Sequence, residues 1–212
     1  MGFLSLIMMG IIVILVAVAS YFIGNINGAL IIGRAYGIDV RKEGSGNAGT
    51  TNVLRSVGRK AGAATFVIDV VKGWAVYFVA AHFLGAEVAM LGGLCVVLGH
   101  MWPVVHGFRG GKGVATAFGV LLAANWLFAL LLFAVVIVFT AAFRRVSLSV
   151  LIAVAVGLVL AFTGDAGLHE LAGDVNPLWL AVIFALIVFK HRSNIVRLAK
   201  GEESVLTFGK KE

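Results

Sequence analysis

The sequence predicts an all-α, polytopic integral membrane protein of about seven transmembrane helices, with its N-terminus outside and its C-terminus in the cytoplasm. Three observations predict it. The 212 residues are 61% hydrophobic and only 13% charged, with a mean hydropathy of +1.05, far outside the range of soluble domains. Apolar runs recur along the whole chain, close to the roughly 20 residues a helix needs to cross a bilayer. Lys and Arg, which give a net charge of +7, cluster in alternate connections, Lys72 excepted, and basic connections mark the cytoplasmic side. That distribution assigns the charge to membrane orientation and argues against a nucleic-acid partner. No stretch is left for a soluble domain, so residues 1–212 read as one membrane-embedded unit.

The first run, Leu4–Ile23, has no Lys or Arg before it and no small-residue cleavage pattern. It reads as a retained span and not as a secretory signal. Gly24, Asn25, Asn27 and Gly28 then interrupt the apolarity before Ala29-Leu30-Ile31-Ile32 resumes it, which predicts a kink or an interfacial segment over residues 24–36. Ala61–Ala81 and Val88–Val105 are the next spans, the second containing Cys95, the single cysteine, read as a small buried hydrophobe. Val114–Ala142 runs between two basic connections, one with Arg109 and Lys112, the other Arg144-Arg145, so it crosses an even number of times. One straight helix over residues 113–143 would be about 46 Å long. A hairpin of two short helices turning near Asn125-Trp126 is therefore expected, with Trp126 at an interface. Leu148–Phe162 and Leu178–Phe189 complete the count. Met1–Phe3, His82–Glu87 and Thr163–Asn176 carry no Lys or Arg, as external segments should.

Three cytoplasmic segments hold most of the polar chemistry. In the first, from Gly44 to Arg55, glycines alternate with Ser45, Asn47, Thr50, Thr51 and Asn52. Such a loop is dense in hydrogen-bond donors, and Thr51-Asn52 is expected to cap a helix that carries Arg55 inward. It suits an anion, although a solvated turn ending in an ordinary N-cap has the same composition. The second joins His100 to Gly107-Phe108-Arg109-Gly110-Gly111-Lys112-Gly113. Its glycines let backbone N–H groups approach a phosphate, its two cations supply charge, and a helix beginning at Val114 would point its positive end there. The spacing is not that of a nucleotide P-loop, and a packing turn is the alternative. The third runs from Lys190 to Leu198, where His191, Asn194 and Arg197 share a helical face; a basic flank binding anionic lipid headgroups is its alternative. Within the second span, Asp69 and Lys72 lie about 12 and 16 Å from Ala61 and face the same way. Ionisable groups at that depth mark a functional site or a self-satisfied ion pair.

Taken together, these residues resemble the bacterial acyl-phosphate-dependent glycerol-3-phosphate acyltransferases, the PlsY family. The resemblance covers essentially the whole chain and rests on three motifs in order: Gly44-Ser45-Gly46-Asn47-Ala48-Gly49 with Thr51-Asn52-Val53-Leu54-Arg55; Gly99-His100 and Pro103 with Phe108 to Thr116; and His191-Arg192 with Asn194-Ile195, Arg197-Leu198 and Gly201. Thr50 stands where the family usually has Ala, and Gly201-Glu202-Glu203-Ser204 where it has Gly-Thr-Glu-Pro, which leaves Glu203 at the position of that motif's glutamate.

The resemblance implies transfer of an acyl group from acyl phosphate to the 1-hydroxyl of glycerol 3-phosphate, with no cofactor and no metal. It implies a bacterial plasma or inner membrane, a site facing the cytoplasm, membrane lipids as surroundings, and a functional link to the cytoplasmic enzyme that makes acyl phosphate. Acyl phosphate is expected on Ser45, Gly46, Asn47, Thr51, Asn52, Arg55, Gly110, Gly111, Lys112 and Asn194. Glycerol 3-phosphate is expected on Lys72, His100, Arg109, His191, Arg192 and Glu203, with Ser45, Lys112 and His191 nearest the chemistry. The donor is already activated, so the needs are positioning, an oxyanion donor and a proton acceptor, either a histidine or a phosphate oxygen. A transporter of an organic phosphate and a lipid phosphatase remain as other classes. His169-Glu170-Leu171-Ala172-Gly173-Asp174 has the His-x4-Asp spacing of acyl-CoA-dependent enzymes, but it falls in a connection expected outside.

Overall fold

The computed structural model describes residues 3–163 and 175–206, and these form helices and connections only. The helices are α1 Phe3–Gly24, α2 Gly28–Ala35, α3 Thr50–Ser56, α4 Arg59–Leu84, α5 Ala86–Met101, α6 Val114–Ala124, α7 Trp126–Phe143, α8 Val146–Phe162, α9 Pro177–Lys190 and α10 Arg192–Ala199. The His169–Asp174 segment lies outside the described residues.

By length and composition, four segments of the described chain can cross a membrane: Leu4–Ala35, Arg59–Leu84, Ala86–His106 and Trp126–Phe143. A fifth arises if α9 and α10, bent by 59° at His191, count as one broken span. The shorter α6 and α8 are also apolar. At 11 residues, α6 is only about 16 Å long, too short for a hydrocarbon core of roughly 30 Å. The expected break at Asn125 is present, and its cause is a cap: the Asn125 side chain accepts from Phe128 N at 2.9 Å and starts α7. Phe118 and Phe133, nearly equidistant from that break, stack at 4.8 Å between ring centroids. The two helices thus fold back on each other.

The second expected irregularity, over residues 24–36, is also a capped break. Asn27 accepts from Leu30 N at 3.0 Å to begin α2, while its amide donates to Ala48 O at 3.2 Å. Non-helical backbone at membrane depth persists only where protein satisfies it. Here Lys72 does so, its Nζ donating to Ile26 O at 2.5 Å and Gly24 O at 3.3 Å.

Helices in lipid pack by close backbone approach at small residues, and the framework around the break follows that rule. A Cβ on Gly119 would stand 2.0 Å from Val70 O, and one on Gly73 would stand 2.2 Å from Thr116 O, so α4 and α6 touch backbone to backbone. Gly99 meets Tyr21 O in the same way and joins α5 to α1. The main core lies between α4, α5, α6, α7, α8 and α9, with Val96, Val97, Val120, Phe128, Leu180 and Ile183 fully buried. A smaller cluster of Ala29, Val40, Ala48, Val53 and Ala61 supports the loop before α3. Much of α1 is exposed and apolar, including Leu4, Leu6, Ile14 and Leu15, as a lipid-facing helix must be. Cys95 is half-buried, short of the full burial expected.

Gly119→Val should lower stability by about 1–3 kcal/mol or more, because the clash is with backbone that cannot rotate away. Gly10→Val, where nothing lies within 4 Å of the added carbon, should leave it within about 0.5 kcal/mol. Thermal unfolding of both variants in detergent checks the contrast.

Candidate active site

The three polar segments converge on a cavity of about 480 Å³. Its polar end takes Ser45, Asn47, Thr50, Thr51, Asn52 and Arg55 from α3 and the loop before it, and Lys112 from the glycine loop. His191, Asn194 and Arg197 reach it from the bend between α9 and α10, with Glu203 and Ser204 from the tail that follows. Its other wall is apolar: Phe66 of α4, Phe133, Val136 and Ile137 of α7, and Val146 and Val150 of α8. Phe133, Val136, Ile137, Thr140 and Ala141 recur at i, i+3, i+4, i+7 and i+8, one face of a helix.

The glycine loop works as read from the sequence in one respect. Gly113, at φ 78°, ends it in a left-handed turn and α6 begins at Val114 without a side-chain cap. Val114 and Ala115 line the cavity, so the helix presents unpaired N–H groups and a positive pole there. Lys112 Nζ donates to Asn194 Oδ1. Burial pushes the Lys112 ammonium down to about 8, while the Glu203 carboxylate pulls it back up.

Glu203 is the hub of the tail. Its Oε1 accepts from Ser147 Oγ at 2.6 Å and Asn194 Nδ2 at 2.6 Å, and its Oε2 pairs with Arg197 Nε at 2.8 Å. Burial raises its carboxyl, but these three partners outweigh that and hold it below the usual range. Ser204 accepts from Arg55, at 3.0 Å on its hydroxyl and 3.2 Å on its carbonyl. The first and last motifs are thereby joined. Burial lowers the Arg55 guanidinium from its ordinary value, and its Nε, with Thr50 Oγ1 and Thr140 Oγ1, is buried without a partner among the described residues. Unpaired buried polar atoms cost about 1–3 kcal/mol each, which a ligand in the cavity would relieve.

Beneath the polar end, Asp69 Oδ1 accepts from Lys72 Nζ at 2.7 Å and Gly28 N at 3.2 Å, and lies 3.4 Å from His100 Nδ1. Lys72 Nζ is also 2.8 Å from His100 Nδ1. An ammonium has no acceptor, so His100 Nδ1 accepts and the proton of its neutral ring sits on Nε2, against Gly111. His191 is arranged oppositely: its Nδ1 faces Ile187 O at 2.8 Å, so Nδ1 carries the proton and Nε2 is left as an acceptor.

Ten of the expected residues line the cavity: Ser45, Asn47, Thr51, Asn52, Arg55, His100, Lys112, His191, Asn194 and Glu203. Six do not. Lys72 is one layer behind, its three protons already shared among four acceptors. Gly110 and Gly111 pack under the site, where added carbons would stand 2.0 Å from His100 O and 2.2 Å from His100 Nε2. The N–H of Gly46 is spent on Glu43 O, and that of Ser45 on Asn52 Oδ1. Arg109 is exposed, and Arg192 stacks on the Phe189 ring at 4.8 Å, away from the cavity. The expected cap by Thr51-Asn52 is absent. Gly49 is the N-cap, and Asn52, inside α3, instead ties the preceding loop together through Ser45 N, Val40 O and Glu43 O. The sequence analysis assigned no substrate contact to Ser147, Ser204 or Arg197, although it placed Arg197 on one helical face with His191 and Asn194; a serine two residues after Arg144-Arg145 in an otherwise apolar run was the available signal for Ser147.

The fold and the cavity define a class: an integral membrane protein, helical throughout its described residues, with a cavity that is cationic and polar at one end and apolar at the other. The chain belongs to the glycerol-3-phosphate acyltransferase family, whose sequence profile matches residues 14–201. It is 41% identical to the glycerol-3-phosphate acyltransferase of Clostridioides difficile over 197 residues, covering 90% of this chain and 93% of that one. It is 40% identical to that of Alkaliphilus metalliredigens, covering 90% and 94%. Its structure is similar to the glycerol 3-phosphate form of PlsY (YgiH), an integral membrane glycerol 3-phosphate acyltransferase, with a TM-score of 0.82, 36% identity and coverage of 92% and 96%. The lysophosphatidic acid form of the same protein gives a TM-score of 0.80.

Inorganic phosphate should bind this protein with an affinity that falls as pH rises through about 8, because the Lys112 charge is lost there and not above pH 10 as for an ordinary lysine. Glu203→Gln removes the carboxylate that holds the charge on Lys112 and should move the fall to lower pH. Lys112→Arg should abolish it. Calorimetric titration across that pH range measures all three.

Proposed function

We propose that the chain transfers an acyl group from acyl phosphate to the 1-hydroxyl of glycerol 3-phosphate, yielding lysophosphatidic acid and inorganic phosphate. The observation that carries this is the joining of a cationic end and an aliphatic wall in one cavity, the shape of a donor with an anionic head on a hydrocarbon tail. The PlsY forms described with glycerol 3-phosphate and with lysophosphatidic acid support it. Seven membrane crossings, with the short α6 counted as one where the bilayer thins around it and the N-terminus outside, would put the cavity at the cytoplasmic face of a bacterial plasma or inner membrane. There it meets acyl phosphate from the enzyme that makes it.

In this reading Lys112 and Arg55 hold the donor's phosphate, and Ser45, Asn47 and Thr51 frame it. The N–H groups at the start of α6 stabilise the oxyanion that forms on the acyl carbon. Glycerol 3-phosphate lies toward His191, Arg197 and Glu203. Its 1-hydroxyl oxygen bonds to the acyl carbon, the bond from that carbon to the phosphate oxygen breaks, and the hydroxyl proton passes to a phosphate oxygen, which leaves with it. His191 Nε2 accepts a hydrogen bond from the 2-hydroxyl of glycerol 3-phosphate and so holds the acceptor in place, leaving the 1-hydroxyl proton for the phosphate oxygen. Lys72 acts through His100 and Asp69 as a positioning residue.

Purified protein given glycerol 3-phosphate should form lysophosphatidic acid from acyl phosphate and none from acyl-CoA. Lys112→Ala should abolish product, a loss of at least about 100-fold by the measure of a single oxyanion or phosphate donor. His191→Ala should raise KM for glycerol 3-phosphate more than it lowers kcat; a selective loss of kcat would make His191 the base. Product from acyl-CoA instead would overturn the donor assignment.

A further inference from the structure

The apolar wall ends on three phenylalanines from three helices. Phe66 of α4, Phe118 of α6 and Phe133 of α7 stack mutually, with centroids 4.8 to 6.0 Å apart and planes 23° to 25° from parallel. Phe66 and Phe133 line the cavity, and Phe118 stands behind them as part of the core. The trio cannot yield easily, since α4 and α6 are locked by the backbone contacts at Gly73 and Gly119.

From Ala141 to Phe133, the two ends of the α7 face that lines the cavity, is eight residues, about 12 Å. A C–C bond of about 1.5 Å advances roughly 1.3 Å along an extended chain, so about nine carbons fill that length. Beside this path Ile137 is 53% exposed on a helix that is itself long and apolar enough to span the membrane. The cavity therefore has stacked rings at one end and an exposed flank.

We propose that the Phe66–Phe118–Phe133 trio is the fixed floor of an acyl channel and determines how chain length is read. An acyl chain of about eight carbons lies straight above the floor; a longer one turns on the face of Phe133 and leaves past Ile137 into lipid. This rests on the acyl-transfer reading above and adds to it the residues that set selectivity.

The test is kcat/KM for acyl phosphates of 8, 12 and 16 carbons, with glycerol 3-phosphate saturating, in the unsubstituted protein, Phe133→Ala, Phe133→Leu and Phe133→Trp. Opening the floor with Ala should raise the ratio of 16-carbon to 8-carbon donor by roughly tenfold, the scale on which an apolar pocket discriminates. Leu, which keeps the site packed if Ala unfolds it, should move the ratio the same way by less, and Trp should lower it. An unchanged ratio in folded Leu and Trp variants overturns the floor while leaving acyl transfer standing. No product from any chain length in the unsubstituted protein overturns acyl transfer itself, and the floor with it.

Discussion

One buried ammonium carries the frame on which the rest depends. Lys72 sits on the inner face of α4, where a lone charge would be prohibitive in lipid. It is tolerated because Asp69 pairs with it, His100 accepts from it, and the carbonyls of Gly24 and Ile26 take what remains. Those carbonyls exist as acceptors only because the chain breaks between α1 and α2. The break and the charge thus require each other: without Lys72 the carbonyls are orphaned, and without the break Lys72 has too few partners. Removing one partner of such a pair costs about 3–5 kcal/mol. The same cluster seats His100 beneath the glycine loop and, through Gly28 N, fixes the start of α2 against α4.

On that base the site is assembled from segments far apart in the sequence. Lys112 meets Asn194, Asn194 meets Glu203, and Glu203 meets Ser147, while Ser204 closes the circuit on Arg55. Four separate stretches of chain therefore contribute to one electrostatic unit. Its single carboxylate offsets part of the repulsion among three cations, and it does so at the cavity wall, where an incoming phosphate meets cations already held in place.

The sequence showed the membrane class, the three polar segments and the capped break at Asn125, because each rests on local composition: apolar length, glycine density, or one polar residue interrupting an apolar run. It also brought Asp69 and Lys72 to one face, a matter of helical spacing alone. It did not show that Gly110 and Gly111 serve packing under His100, nor that the Asn52 side chain organises a loop in place of capping a helix. Both outcomes depend on what lies across the fold, as does the membership of Ser147, which is decided by a tail some fifty residues away. Arg109 and Arg192 were expected at the site from the resemblance and from their charge, and neither says which way a side chain turns.

The open flank beside Ile137 has a consequence of a different kind. If a long acyl chain never leaves hydrocarbon while its head is in the polar end, the protein samples its donor from a sheet and not from a volume. The quantity that governs occupancy is then molecules per unit area of membrane, and diluting the aqueous phase at fixed lipid leaves it untouched. On the same reading, water-soluble glycerol 3-phosphate would obey ordinary concentration in that cavity, so the two ligands would be counted in different dimensions at one site.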